Sequence, residues 1–442
     1  MEHSNRRSFI KKSAVAIAGA GLYQSIPNRL YGSIAPGSRI NIAVIGLGFG
    51  VTNMRYMLEA DKSVHCIAMC DVDQVRLKER SGELKDKFPE NAGNIQLYSD
   101  FRKLLENKDI DGVIVSTPDH WHTYIFAEAS KAGKAIYVEK PTGKTIADCD
   151  LMVNLQKKYN NVVTTGLWQI SLEYFNDAFN ILKTGVLGDV FKVHAWITGD
   201  TDPVIYSTEA QQVPETLDYN MWLGPAPLRA YAKERVGSWR HYWDYGGGRQ
   251  TDWVHYLDSA LDGIAALGHK RTFPKSVYSV GYKHPDTMIE APSLQTSVFQ
   301  FEDLHIVWEH SASPMYNRTD GVAWIGSKGT LVCNRTGYEL IPAKGRDGKP
   351  LAEAVKNQGP YANQYNHMAN WANCIRENNP KTNSPIDKGC YATVLANIAN
   401  ISHKLGGQSI EYLPDEQKFR NNPEADKHVF PEYKNNWKYP QV

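Results

Sequence analysis

Only six cysteines occur in 442 residues, and no two of them form a C-x-x-C pair, which excludes a disulfide scaffold and a zinc or dithiol motif, so no metal is expected. Charge of one sign is missing too: 49 basic residues face 48 acidic ones, and nothing draws such a chain to nucleic acid or to an anionic membrane. Beyond the N-terminal segment no apolar run reaches the length of a membrane span. Internal repeats and low-complexity tracts are absent. What remains is the composition of a globular protein, 42% hydrophobic and 22% charged, long enough for two domains. Aromatics are the one surplus, with 11 Trp and 24 Tyr. Flat rings pack well on the C–H faces of sugars, and equally well in cores and interfaces.

The N-terminus reads as an address. Asn5-Arg-Arg-Ser-Phe-Ile-Lys-Lys12 precedes the weakly hydrophobic stretch Ser13–Leu22. A twin arginine, an aromatic residue and a short apolar segment resemble a twin-arginine export signal. This predicts a periplasmic protein, or a cytoplasmic one if the signal is not functional. No cysteine follows the apolar stretch, so no lipid anchor is expected. Residues 1–37 are therefore set apart as signal and linker. An exported enzyme meets no free NAD pool, so any nicotinamide must be held tightly and regenerated in place.

The most informative stretch is Asn41-Ile-Ala-Val-Ile-Gly-Leu-Gly-Phe-Gly50. An apolar run ends in Gly46-x-Gly48, a helical segment follows, and a second run, Val64–Cys70, stops at Asp71. This is the layout of a strand–turn–helix–strand unit that binds a dinucleotide. Gly46, Gly48, Phe49 and Gly50 are expected around the pyrophosphate, at the free N–H groups of a helix start. Asp71 is expected on the ribose hydroxyls, where its charge repels a 2′-phosphate and favours NAD over NADP. One feature departs from the G-x-G-x-x-G/A pattern: the third small residue falls on Val51, which predicts crowding between helix and strand.

Strand and helix signals alternate up to about Thr165, predicting a doubly wound parallel sheet over 38–165. From Val190 strands dominate, with a hairpin expected around Glu302-Asp303 and helices over Gln364–Glu377 and Gly389–Leu405. Residues 166–442 thus read as an α+β domain with an open, mainly antiparallel sheet. The polar, Pro- and Tyr-rich stretch 201–238 reads as a long excursion framing a site.

Three segments carry candidate chemistry. Ser116-Thr-Pro-Asp-His-Trp-His122 and Glu139-Lys-Pro141 each follow a buried strand, at the edge where ligands bind in such sheets. Tyr242–Asp258 sets Asp252 and His255 one helical turn apart. Oxidation of a secondary alcohol needs a base for the hydroxyl proton. A lysine desolvated beside a cationic ring serves, and a histidine serves without tuning. Taken singly, Lys140 also reads as a surface lysine, His120 and His122 as helix-start polar groups, and Asp252 and His255 as a buried pair.

Together the segments resemble the glucose–fructose oxidoreductase/inositol dehydrogenase (Gfo/Idh/MocA) family. The resemblance adds Cys70–Asp73, Gly166-Leu-Trp-Gln169, Gly185-x-x-Gly188, Trp222–Pro227, Gly246–Gly248 and Gly326-x-x-Gly-Thr-Leu331, in that order. It implies an NAD(P)-dependent oxidoreductase acting on a sugar or cyclitol, and a homo-oligomer, dimer or tetramer, built on the open sheet. Lys140 matches the catalytic lysine and Asp71 the ribose acid. Thr117, Pro118, His120 and His122 match the segment along the cofactor, Glu139 the acid beside the nicotinamide ribose, and Trp168 and Gln169 the strand end near the ring. Asp252 and His255 match the family's D-x-G-x-H pair, one residue shorter and without its glycine. On one helix that change rotates a side chain by about one hundred degrees, and which of the two faces substrate stays open. The gap to Asp258 favours His255 as proton shuttle. Arg240, Tyr242 and Trp243 are expected to frame the sugar. Two other functions stay open. One is a redox-neutral, NAD-dependent glycoside hydrolase working by oxidation, elimination, hydration and reduction. The other is a sugar-binding or regulatory protein without catalysis.

Overall fold

Six short strands make the first sheet, most of them apolar and buried. They are Ile40–Ile45 (β1), Val64–Cys70 (β2), Gln96–Tyr98 (β3), Gly112–Val115 (β4), Ala135–Val138 (β5) and Val163–Thr165 (β6). In the computed structural model, which describes residues 39–199 and 204–442, they lie in the order β3-β2-β1-β4-β5-β6. All neighbours are parallel. Parallel strands need crossovers, and helices on both faces explain why β4 and β5 are buried at every position. The crossovers include Gly50–Ala60 (α1), Gln74–Lys87 (α2), Asp119–Lys131 (α3) and Ile146–Tyr159 (α4). The helix α4 carries no clear sequence period because it is covered on more than one side. A capping box, Thr145 with Asp148, starts it.

The second sheet is built from Val190–Thr198 (β7), Ser276–Tyr282 (β8), Leu294–Gln300 (β9), His305–Ser311 (β10), Asp320–Gly326 (β11), Gly329–Asn334 (β12), Gly337–Pro342 (β13) and Val355–Gln358 (β14). Their order is β14-β13-β12-β11-β7-β10-β9-β8. Every neighbour pair is antiparallel except β7 with β10. The β9–β10 hairpin turns at Glu302-Asp303, as its alternating pattern predicts. The longer helices of this half are Glu173–Lys183 (α5), His255–Ala266 (α6), Tyr365–Glu377 (α7) and Ile386–Lys404 (α8).

The chain order does not separate cleanly in space. The helix α7 packs on α1, and its Met368, Trp371 and Ile375 share a core with Val44, Met54 and Met57. The helix α8 packs on α4. Residues late in the chain therefore brace the helices that flank the first sheet. The excursion after position 203 forms a separate apolar cluster around Ile205, Tyr219, Trp222, Tyr242 and Tyr245. All six cysteines are buried and unpaired. No helix among the described residues is long and apolar enough to cross a membrane. The twin-arginine segment lies outside the described residues.

The helix α6 is seated on the second sheet by a glycine. A Cβ at Gly263 would lie 2.1 Å from Nε1 of Trp324, which is fully buried on β11. Replacing Gly263 with Ala is expected to cost about 1–3 kcal/mol through overpacking, measured by urea unfolding. Gly82, inside α2 with no atom within 4 Å of its ideal Cβ, is the control. There Gly82→Ala is expected to stabilise by up to about 1 kcal/mol.

Candidate active site

A crevice of about 780 Å³ opens past the carboxyl ends of the first sheet's strands. One end is a turn that only glycine can make. Gly46 has φ +88°, and a Cβ on it would sit 2.6 Å from the Ser116 carbonyl oxygen. Gly48 faces open space, with nothing within 4 Å of its ideal Cβ. The helix α1 then begins with no side-chain cap and no acidic residue in its first turn, leaving its N–H groups for an anion. Asp71 stands at the end of β2. Its Oδ2 accepts from Leu47 N at 2.9 Å and its Oδ1 from Asp73 N at 3.0 Å. Burial raises its pKa against those backbone donors. A tight glycine turn, a bare helix start and a strand-end carboxylate together fit a dinucleotide.

Val51 does not crowd the turn, contrary to its expected effect. It is Gly50 that faces the sheet, where a Cβ would lie 2.8 Å from Cγ1 of Val44. The close helix–strand approach moves one position earlier, and Val51 packs elsewhere in the core.

The other end of the crevice carries a charge cluster. Lys140 follows β5 and its bond to Pro141 is cis. The Lys140 ammonium donates to Asp252 Oδ1 at 2.8 Å and to the Asp252 carbonyl at 2.5 Å. Arg240 Nε donates to the same Oδ1 at 3.1 Å. Burial alone would raise the Asp252 pKa, but the two cations hold it far below the carboxylate range. Glu139 is buried behind Lys140. Its Oε1 accepts from Asn53 Nδ2 at 2.7 Å, and burial pushes its pKa up despite the neighbouring ammonium.

Asp252 and His255 do not share one helix. Asp252 closes the short helix Gly248–Asp252, and His255 opens α6 after a break at Trp253-Val254. The break replaces the rotation expected on a continuous helix, and both residues line the crevice. Burial, then the Arg335 and Lys140 charges, drive the His255 pKa well below its usual value. Its Nδ1 has no partner among the described residues. His122 spans two crevice loops, with Nδ1 2.8 Å from the Pro141 carbonyl and Nε2 2.9 Å from that of Thr117. Burial brings its pKa down to about 4, so the neutral ring donates to one carbonyl only.

Residues 40–167 match the description "Oxidoreductase family, NAD-binding Rossmann fold", and residues 179–304 match the C-terminal alpha/beta domain of the same family. The chain belongs to the Gfo/Idh/MocA oxidoreductase family. It is similar to a protein named glycosyl hydrolase family 109 protein from Solibacter usitatus, 28% identical over 59% of this chain and 60% of the relative. It is also similar to inositol 2-dehydrogenase of Salmonella typhimurium, 26% identical over 42% of this chain and 54% of the relative. The alignments thus span little more than half of these curated relatives. In fold it resembles an inositol dehydrogenase homolog of Azotobacter vinelandii (TM-score 0.62, 18% identity, 86% of this chain and 99% of that one). It likewise resembles the aldose-aldose oxidoreductase of Caulobacter crescentus (TM-score 0.60, 18% identity, 84% and 99%).

Within this Gfo/Idh/MocA fold most of the expected site residues line the crevice. Gly46, Gly48, Phe49 and Asp71 stand at one end, Thr117, Pro118 and His122 along it, and Glu139, Lys140, Trp168, Arg240, Asp252 and His255 at the other. Five do not reach its wall. Gly50 is turned to β1, as above. His120 is buried behind the Thr117 turn, with Nε2 3.1 Å from the Trp222 carbonyl, and burial lowers its pKa to about 3. Gln169 sits behind Trp168 and donates to Ser259 Oγ at 2.9 Å. Tyr242 is fully buried in the excursion's own cluster, under the Arg235 guanidinium. Trp243 lines a separate cavity of about 210 Å³, where the Lys404 ammonium lies 4.1 Å from its ring centre. Neither ring frames the main crevice; Trp239, Arg240, Asp252, Trp253 and His255 of this stretch do.

Several crevice residues carried no role in the sequence reading, Arg335 and Asp119 among them. Arg335 comes from the β12–β13 turn, a segment with no motif around it. Asp119 lay within a quoted motif but carried no role. It is buried at the first position of α3, and burial, reinforced by Asp252, pushes its pKa up to about 8 against the Arg240 and Lys140 charges. A carboxyl that titrates near 8 when folded and near 3.8 in the unfolded chain destabilises increasingly as pH rises through that window. The variant Asp119→Asn is therefore expected to be more stable than the parent at pH near 8, by an order of a few kcal/mol, with the gain vanishing toward pH near 4. Urea unfolding of both proteins across that range checks the sign.

Proposed function

We propose that the protein oxidises a secondary hydroxyl of a sugar or cyclitol with NAD held in the crevice. The observation that carries this is that Lys140 and His255 both line the far end of a cleft whose near end fits a dinucleotide. The bound nicotinamide would supply the hydride acceptor. His255, kept neutral by burial and by nearby cations, accepts the hydroxyl proton. Lys140, anchored on Asp252 at 2.8 Å, hydrogen-bonds the substrate oxygen and fixes its angle to the ring. Asp252 keeps that ammonium and Arg240 in register. Glu139 steadies the ribose side. Asp71 favours NAD over NADP by charge. The twin-arginine pattern of residues 5–12 supports a periplasmic location and a tightly held cofactor. The open sheet supports a homo-oligomer, since Tyr278, Val280 and Tyr282 alternate along β8 with 43%, 40% and 58% exposure.

A second reading is cleavage of a glycoside with no net redox change. The similarity to proteins named glycosyl hydrolase family 109 favours it.

Nicotinamide released from purified protein by acid, or taken up in a titration with NAD and NADP, tests the cofactor. The variant Lys140→Ala is expected to lower turnover about 100- to 10,000-fold while cofactor uptake stays near that of the parent; thermal stability should fall, because Asp252 then keeps only Arg240 as its cation. Unimpaired turnover would remove Lys140 from the reaction. Nitrophenyl glycosides separate the two readings: aglycone release without added cofactor and without NADH accumulation selects the second.

A further inference from the structure

Arg335 is a buried cation without an acid. It is 6% exposed, lines the crevice, and no carboxylate pairs with it among the described residues. Its three hydrogen bonds go to neutral acceptors. Nε and Nη2 donate to Gln169 Oε1 at 3.1 and 2.9 Å, and Nη1 donates to the Tyr361 hydroxyl at 2.6 Å. A guanidinium has five N–H groups, so one on each terminal nitrogen is left without a protein acceptor and can donate to an oxygen anion.

The surroundings hold the side chain rigidly. Its guanidinium lies 4.2 Å from the Trp168 ring centre and 5.5 Å from those of Trp253 and Tyr256. Trp168 in turn meets the His255 ring edge-on at 5.9 Å. The free N–H groups are thus one ring away from the proposed proton acceptor, on the Trp168 side of the crevice rather than at the glycine turn. Cation–π contacts offset only part of the desolvation of a buried charge, and a fixed guanidinium with an open edge is preorganised for an anion. The other crevice cations at this end, Lys140 and Arg240, each already touch a carboxylate, that of Asp252.

We infer that the substrate is an acidic carbohydrate, a uronic acid or a glycoside of one, whose carboxylate is held by Arg335 while a ring hydroxyl faces His255 and Lys140. The placement of the ring hydroxyl rests on the oxidoreductase reading; the carboxylate contact does not. An anion so placed would give Arg335 a charged partner, and a neutral hexose would leave it with neutral acceptors only.

The test compares each acid with its neutral parent. D-glucuronate, D-galacturonate and D-mannuronate are titrated against D-glucose, D-galactose and D-mannose by tryptophan fluorescence and calorimetry, with and without NAD. At least one acid is expected to bind about 10-fold or more tighter than its parent, as a charge-assisted pair would. That preference should shrink when salt is raised from about 0.05 M to about 0.5 M, although less than for an exposed pair. Arg335→Gln should abolish the preference and Arg335→Lys retain part of it, with thermal melting to confirm folding. If every acid binds no better than its parent to the unaltered protein, or if a folded Arg335→Gln keeps the preference, the inference is wrong. Cofactor uptake, measured separately, reports on the oxidoreductase reading alone.

Discussion

The Lys140–Asp252 ion pair joins the end of the first sheet's fifth strand to the short helix before α6. Everything in the chemical half of the crevice depends on it. Both side chains are mostly buried, and a charge there without its partner would be costly. The pair holds because Asp252 receives two cations, and because the Lys140 ammonium also donates to the Asp252 carbonyl. With the pair in place, the loop after β5 and the start of α6 are brought to a common wall. His255 is carried to that wall by its position at the start of α6, not by a motif.

Around that pair the crevice sorts its titratable groups by environment. Three histidines in or behind the crevice wall, His120, His122 and His255, are all driven toward the neutral form by burial. Asp252 is kept ionised by its cations, whereas Asp119 and Glu139, with fewer or weaker partners, are pushed toward protonation. Carboxyls with opposite shifts in one cleft are a common mark of acid–base chemistry. Arg335 stands outside this balance. Its charge helps to keep His255 neutral while its own partners are uncharged.

Family membership and the proposed chemistry agree at the level of the fold and the cofactor end. They diverge at the substrate end, where relatives named as dehydrogenase and as glycosidase are both similar to this chain. The same proton-transfer groups serve either outcome. What differs is whether the oxidised sugar leaves or is processed in place. An exported chain without access to free cofactor would be compatible with the latter.

Local pattern was sufficient for the parallel sheet, the β9–β10 hairpin and the dinucleotide end, because strand period, glycine turns and a strand-end acid act over a few residues. It was also sufficient for Lys140, since a residue just past a buried parallel strand must emerge at the ligand edge. The tertiary structure alone decided the rest. A two-residue break, invisible in composition, put Asp252 and His255 on the same wall. Trp243 went to another cavity and Tyr242 into an apolar cluster, although their sequence neighbourhood resembled that of Arg240. Gly50 took over the packing role expected of position 51. Arg335 reached the crevice from a turn far along the chain, next to Trp168, through the register of β12 with β13. Such placements follow from packing between distant segments, which no short-range period encodes.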